Sequence, residues 1–226
     1  LPQDMFESIN GKVQLKRFPK AARYMHFDLA EAGGKSEAGV SMCHKEYYID
    51  PTTLEKVPMY IFDFVMWVNA KARIDLVAIR KFVYDLIKEK NVYIDSISTD
   101  QFQSTVIREE FELSGLFREV AKLSVDTTCA PYEYLAAQIE SGHLKTGKCD
   151  YLKRQLHALK LQDGKVQRTT ERKDMADSMC GSVELARRNY KDDPVTKGQE
   201  YLIDFWKPKE IKYEDVIPEG FSISEI

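Results

Sequence analysis

The sequence has few cysteines, no long apolar run and no excess of positive charge, and each shortage excludes a class of protein. The four cysteines are far apart and form no Cys-x-x-Cys pair, which excludes a disulfide framework and a zinc knuckle: Cys43, Cys129, Cys149 and Cys180. No run of about 18 apolar residues occurs, and the first residues lack the basic and apolar regions of a signal peptide. We therefore expect no membrane association and a reducing compartment.

The charge balance limits how the chain could meet a polyanion. Lys and Arg total 33 against 36 Asp and Glu, which gives a formal net charge of -3. A global positive field, typical of many nucleic-acid binders, is absent, so any nucleic-acid surface must be local. The 226 residues, 43% of them hydrophobic, are enough for one principal domain.

Composition shifts divide the chain into three parts. Residues 1–20 lack periodicity and are interpreted as a linker with one short strand, residues 21–191 as the domain, and residues 192–226 as an extended C-terminal extension. Because the chain has no initiator Met, we expect it to be part of a longer protein.

The hydrophobic pattern predicts a mixed α/β domain. Aromatic and β-branched runs predict strands over 23–30, 39–44, 59–68, 92–99 and 117–125. Helical spacing predicts helices over 75–90, 103–114, 130–140, 151–161 and 174–191. This order fits an antiparallel three-strand meander continued by parallel strands, with helices on both faces of the sheet.

Three acidic residues fall where elements of such a sheet begin or end. Asp28 ends the first strand, Asp100 follows the fourth, and Asp174 starts the last long helix. If the first and fourth strands are neighbours, their carboxyl ends converge at a preferred ligand site. Clustered carboxylates need hard cations or shifted pKa values, and aspartate oxygens suit Mg²⁺ or Mn²⁺. Asp177 lies on the same helical face as Asp174 and is a further candidate ligand.

Spacing alone does not identify these ligands. An aspartate at a strand end is more often a turn former, and Asp174 has the position of an ordinary N-terminal helix charge. Asp63, Asp95 and Asp126 also lie on or near strands, so they remain open as alternatives.

Three segments resemble the motifs of one nuclease family. Arg23 to Ala30 resembles a first motif ending in Asp-Leu-Ala, Ser98 to Ser104 a second in which Asp leads into a Gln/Ser-bearing helix, and Lys173 to Gly181 a third built on Asp-x-x-Asp. In this order, over residues 20–190, they resemble the nuclease domain of bacteriophage terminase large subunits, which have an RNase H-like fold. The chain departs from that pattern at Gly34-Lys35, where many relatives have a second Asp, and at Lys173, where relatives place an Asp or His.

The resemblance implies a function. It implies a two-metal-ion endonuclease that cuts double-stranded concatemeric viral DNA during packaging with little sequence preference. Asp28, Asp100 and Asp174 would be catalytic, and the same three with Asp177 would bind Mg²⁺ or Mn²⁺, as two ions. The implied partners are the portal and the small terminase subunit, the isolated domain would be a monomer, and the location would be the host cytoplasm.

Other functions stay open. A Holliday-junction resolvase or exonuclease of the same fold would use similar carboxylates, and a non-catalytic packaging or docking module would use none. Gly34-Lys35-Ser36 resembles the end of a phosphate-binding loop, but Leu29 stands where that motif needs glycine. We therefore expect no ATPase site, since the motor of terminases lies in a separate N-terminal domain.

Overall fold

The computed structural model describes residues 21–32, 35–50, 52–70, 76–100, 105–162, 164–168, 172–189 and 221–222. These residues form nine strands and five helices. The strands are β1 (Arg23–Ala32), β2 (Lys35–Ile49), β3 (Lys56–Ala70), β4 (Ile94–Thr99), β5 (Glu119–Lys122), β6 (Leu144–Lys145), β7 (Leu159–Gln162), β8 (Lys165–Arg168) and β9 (Phe221–Ser222). The helices are α1 (Leu76–Lys88), α2 (Thr105–Ser114), α3 (Ala130–Glu140), α4 (Asp150–His157) and α5 (Asp174–Arg188).

One mixed sheet organises the domain. Its strand order is β5-β4-β1-β2-β3-β6, and β9 pairs with β3. The β1-β2-β3 meander is antiparallel, whereas β4 is parallel to both β1 and β5. The predicted mixed sheet is therefore confirmed, and it has the RNase H-like arrangement in which the first and fourth strands are neighbours.

Alternation along β1 separates the two faces of the sheet. Met25 and Phe27 belong to an apolar cluster with residues of α1 and α2, whereas Tyr24 belongs to a second cluster with residues of α3, α4 and α5. Because successive strand residues point to opposite faces, Asp28 shares the α5 face with Tyr24 and His26. Its position on this face puts Asp28 beneath the last long helix.

Helix α5 packs directly on β1 and β2. Residues from Asp174 to Ala186 are all buried, although the helix includes polar side chains. The Ser41 hydroxyl donates to the carbonyl of Ser178 at 2.6 Å, and a Cβ added at Gly181 would lie 2.3 Å from the His26 ring. The small residues of this helix and the hydrogen bonds to it allow an unusually close approach to the sheet.

The predicted helix over 151–161 is wrong in its last turn. Helix α4 ends at His157, and residues 159–168 form an antiparallel hairpin, β7-β8, around Gly164. Gly164 has a φ of +72°, the left-handed backbone that a tight turn requires. The short strand β6 was also not predicted, and the predicted linker over 1–20 lies outside the described residues.

Candidate metal centre at the end of beta1 and beta4

Parallel pairing brings Asp28 and Asp100 to the same end of the sheet. Phe27 pairs with Thr99, so continuing the register by one residue places Asp100 opposite Asp28. The amide of Asp100 donates to the carbonyl of Phe27 at 3.1 Å, which extends the ladder to this point. Neighbouring strands are roughly 5 Å apart, so the two aspartates start from adjacent backbones.

Gly39 brings Asp174 to the same place. In the β1-β2 ladder, Gly39 lies directly opposite Asp28. A Cβ added at Gly39 would lie only 1.9 Å from the backbone oxygen of Asp174. The start of α5 therefore touches β2 beside Asp28, and glycine is needed because a side chain would fill the space that this helix occupies.

The N-terminus of α5 is held by a residue of α4. The side-chain carbonyl of the buried Gln155 accepts hydrogen bonds from the backbone amides of Met175 and Ala176 at 3.0 and 3.1 Å. These two amides belong to the first turn of a helix, whose N–H groups have no partners within the helix itself. The side chain of Gln155 therefore fixes the turn that carries Asp174 and Asp177.

The carboxylates act on one another electrostatically. Asp28, Asp174 and Asp177 are 7%, 8% and 6% exposed, and Asp100 is partly buried. Burial raises the pKa of Asp28 well above its usual value, and the charges of the other three aspartates raise it further. Burial is the larger cause of this shift, and the repulsion from the other carboxylates adds to it because a buried site screens charge poorly.

Asp177 contacts two partners at once. The Tyr132 hydroxyl donates to its Oδ1, and Lys173 Nζ lies 2.6 Å from its Oδ2. Burial raises the pKa of Asp177 to about 6, against the opposing effect of Lys173. Burial and the Asp177 charge raise the pKa of Tyr132, so its hydroxyl stays protonated and able to donate.

The alternative aspartates are engaged elsewhere or at the margin of this site. Asp63 is fully buried and accepts from Arg23 and His44, each at 3.1 Å, while Asp95 is bound by Arg118. Asp126 lies at the margin, where its Oδ2 is 3.0 Å from Lys173 Nζ. Among the described contacts of these three alternatives, Asp126 alone is linked to Asp177, because Lys173 contacts both carboxylates.

The donor chemistry of this site fits a hard divalent cation. A bound divalent cation relieves the repulsion between several buried carboxylates. The four candidate ligands are all carboxylates, and none is a cysteine. In the described residues, no group of three or more His, Cys, Asp or Glu side chains is arranged so that it could hold a metal ion. The assignment of Asp28, Asp100, Asp174 and Asp177 as ligands therefore stays a prediction.

Sequence reasoning missed what supports these aspartates. Gly39, Gln155 and the contact of Tyr132 with Asp177 have no local signal, because each depends on residues distant in the chain. The Asp-x-x-Asp spacing after Lys173 places Lys173 and Asp177 four residues apart, a spacing at which helical side chains meet. That spacing could have predicted their ion pair.

A solved large terminase shares this fold. The crystal structure of the large terminase of bacteriophage HK97 aligns with a TM-score of 0.56 and 13% identity, over 81% of this chain and 42% of that one. The large terminase nuclease of the thermophilic phage G20c aligns at 0.46 and 15% identity, over 76% and 84% of the two chains. A magnesium-bound structure of the G20c nuclease aligns at 0.46 and 12% identity, over 73% and 84%.

The likeness is one of fold. The chain spans 42% of the length of the HK97 large terminase. No protein-family model matches the sequence, and no curated protein matches it. Among the described residues, no helix is long and apolar enough to cross a membrane.

Proposed function

We propose that this chain is a metal-dependent endonuclease that cuts double-stranded DNA with little sequence preference. One observation carries the proposal: strand pairing and the contact at Gly39 bring the backbones of Asp28, Asp100 and Asp174 to one edge of an RNase H-like sheet. Likeness of fold to the HK97 large terminase supports the same function. It does so without sequence evidence, so the residues of the site have to be tested directly.

The proposed site divides the carboxylates by position. Asp28 and Asp174 would help hold one Mg²⁺ or Mn²⁺ ion, and Asp100 would bridge to a second ion or hold it. Bound ions of this kind supply activation of a water molecule and stabilisation of the departing 3′ oxygen. The carboxylates orient the ions, and contacts to phosphate alone would explain weak sequence preference, because phosphates carry no base information.

The protein around the site provides rigidity and apolar packing. Tyr24 and Met175 are buried in the apolar cluster on the face of the sheet that carries Asp28. Gln155 fixes the start of α5, and the sheet ladder fixes Asp28 against Asp100. Each ligand therefore starts from backbone that packing and hydrogen bonds already hold, as precise metal sites require.

Plasmid cleavage tests the proposal. With Mg²⁺ or Mn²⁺ the wild-type domain should nick and linearise plasmid, and Asp28→Asn, Asp100→Asn and Asp174→Asn should each cut at least about 100-fold more slowly, since loss of an outer-shell partner alone costs up to that much. The matched control is Asp85→Asn on α1, which removes a carboxylate from a surface pair with Lys81. Undiminished cutting by Asp100→Asn would refute the assignment.

Two further outcomes separate the alternatives. Cleavage of four-way junctions with linear duplex left intact would favour a resolvase. No cleavage, together with no Mn²⁺ binding by calorimetry, would favour a non-catalytic docking module. A crystal soaked in Mn²⁺ and measured by anomalous scattering would locate and count the ions independently of any likeness to other proteins.

The packaging context belongs to the same proposal. A longer chain with a motor domain, assembly with a portal and a small terminase subunit, and action in the host cytoplasm follow if the function is that of a terminase. Co-purification of the full-length protein with a portal would test this part. The domain by itself should run as a monomer in size-exclusion chromatography.

A further inference from the structure

Lys173 is a cation built into an acidic site. It directly precedes α5, and its side chain is 19% exposed. Its ammonium lies 2.6 Å from Asp177 Oδ2 and 3.0 Å from Asp126 Oδ2. At these distances the ammonium forms ion pairs with both carboxylates.

The contacts of Asp177 fix the position of the Lys173 side chain. One of its oxygens accepts from the Tyr132 hydroxyl and the other from Lys173. Each oxygen keeps a second acceptor position, but the two contacts fix the orientation of the carboxylate toward Tyr132 and Lys173. Burying a carboxylate with such partners is far less costly than leaving it alone, so the contacts account for Asp177 without a metal.

One N–H donor of the Lys173 ammonium is directed at neither Asp126 nor Asp177. A lysine has three N–H donors, and two of them are directed at Asp126 and Asp177. Among the described residues no third acceptor is present. Lys173 directly precedes Asp174, and its contact with Asp177 places the ammonium at the margin of the candidate carboxylate site.

We propose that Lys173 donates to a DNA phosphate beside the metal-binding carboxylates, and that Asp177, fixed by Tyr132, positions Lys173 instead of binding metal. The inference rests on the proposed function and sharpens it by assigning the phosphate ligand. It also reduces the metal ligands within this chain to Asp28, Asp100 and Asp174.

DNA affinity without metal is the direct test. Fluorescence anisotropy of a short labelled duplex in EDTA, over a range of salt concentrations, would compare wild type with Lys173→Met combined with Asp177→Asn. The double variant removes the pair without leaving a buried carboxylate uncompensated. It should bind about tenfold more weakly, as for loss of one charged hydrogen bond, and its salt slope should fall by about one.

Two further variants separate positioning from folding. Lys173→Arg should keep most of the affinity and the slope, because it keeps the charge. The control Lys81→Met removes an exposed lysine of α1 and should change neither. By calorimetry, Asp177→Asn should bind Mn²⁺ as wild type does, whereas Asp28→Asn should not.

The results distinguish this inference from the proposed function. Unchanged affinity and slope in the double variant, with plasmid cleavage by wild type intact, would overturn the role of Lys173 alone. Loss of Mn²⁺ binding by Asp177→Asn, to the extent seen for Asp28→Asn, would overturn the role of Asp177. A wild-type chain that shows the Lys173-dependent affinity but cuts no DNA would refute the nuclease function and leave the phosphate contact standing.

Discussion

An alanine at Gly39 would separate the aspartates without touching any of them. The added Cβ would lie 1.9 Å from the backbone oxygen of Asp174, and ordinary van der Waals contact begins at 3.4 Å. The neighbouring atoms are backbone, which cannot turn aside as a flexible side chain does. The start of α5 must therefore move away from β2 by about 1.5 Å, the difference between these two distances.

The displacement has two measurable consequences. A 1 Å misplacement near reacting groups can cost about 100-fold in rate, so we expect cleavage by Gly39→Ala to fall about 100-fold. Overpacking of this kind costs about 1–3 kcal/mol of the free energy of unfolding. Since domains of this size unfold at about 5–15 kcal/mol, the variant should remain folded.

The assay is plasmid cleavage at saturating Mn²⁺, run beside urea unfolding. Gly142→Ala is the control, because Gly142 has a φ of +72° and an added Cβ would meet nothing within 4 Å. Alanine there costs about 1–2 kcal/mol in left-handed backbone strain. Leu144 pairs with Tyr60, whereas Gly39 pairs with Trp67 at the other end of β3, so the control is remote from the site.

The control should lose a similar amount of stability and keep its cleavage rate within about twofold, since its backbone strain does not move the start of α5. A folded Gly39→Ala protein that cuts at the wild-type rate would show that the contact of β2 with α5 does not set the site. Loss of cleavage in both variants would show that stability alone controls the rate. Either result would refute the reasoning.

Three further predictions concern the scaffold. Gly181→Ala should cost about 1–3 kcal/mol of the free energy of unfolding in wild type, because the added Cβ would meet the His26 ring. In a His26→Ala background the same change should be neutral or stabilise by up to about 1 kcal/mol. Equal costs in the two backgrounds, measured by urea unfolding, would contradict this. Gln155→Leu should cost about 1–3 kcal/mol and speed hydrogen exchange in the first turn of α5, and unchanged exchange would count against the cap. Burial would raise the pKa of Asp95, but hydrogen bonds led by Arg118 lower it overall. The stabilisation from the ionised Asp95 is therefore complete above the ordinary pKa of an aspartate and is lost as the pH falls through the lower pKa of the folded state. The loss of stability in Asp95→Asn should accordingly become smaller on acidification.

Long, strongly patterned elements could be predicted from the sequence. The meander follows from dense aromatic and β-branched runs, and 59–68 falls within the longer β3. The hairpin could not be separated from α4, because four-residue strands are too short for periodicity to distinguish from the end of a helix. The left-handed φ of Gly164, which marks the turn, is visible only in the structure.

The site could be predicted only in outline. Asp28 and Asp100 come from the ends of strands, and strand order places them together once β1 and β4 are neighbours. Contacts such as Lys173 with Asp126, which are 47 residues apart, leave no local pattern. The metal-ligand role of Asp177 was suggested by a spacing that serves an ion pair equally well.

Packing, and not the carboxylates, must hold this site together. Burial raises the pKa of Asp28 and the like charges of the other aspartates raise it further, so these carboxylates oppose the close approach of α5 to β1 and β2. What draws the helix in is its buried face, together with Gly39 and Gly181, where the sheet and helix meet without a Cβ between them. The apolar contacts of α5 thus offset the repulsion, and under the proposed function a divalent ion would enter a site that the core already holds in place.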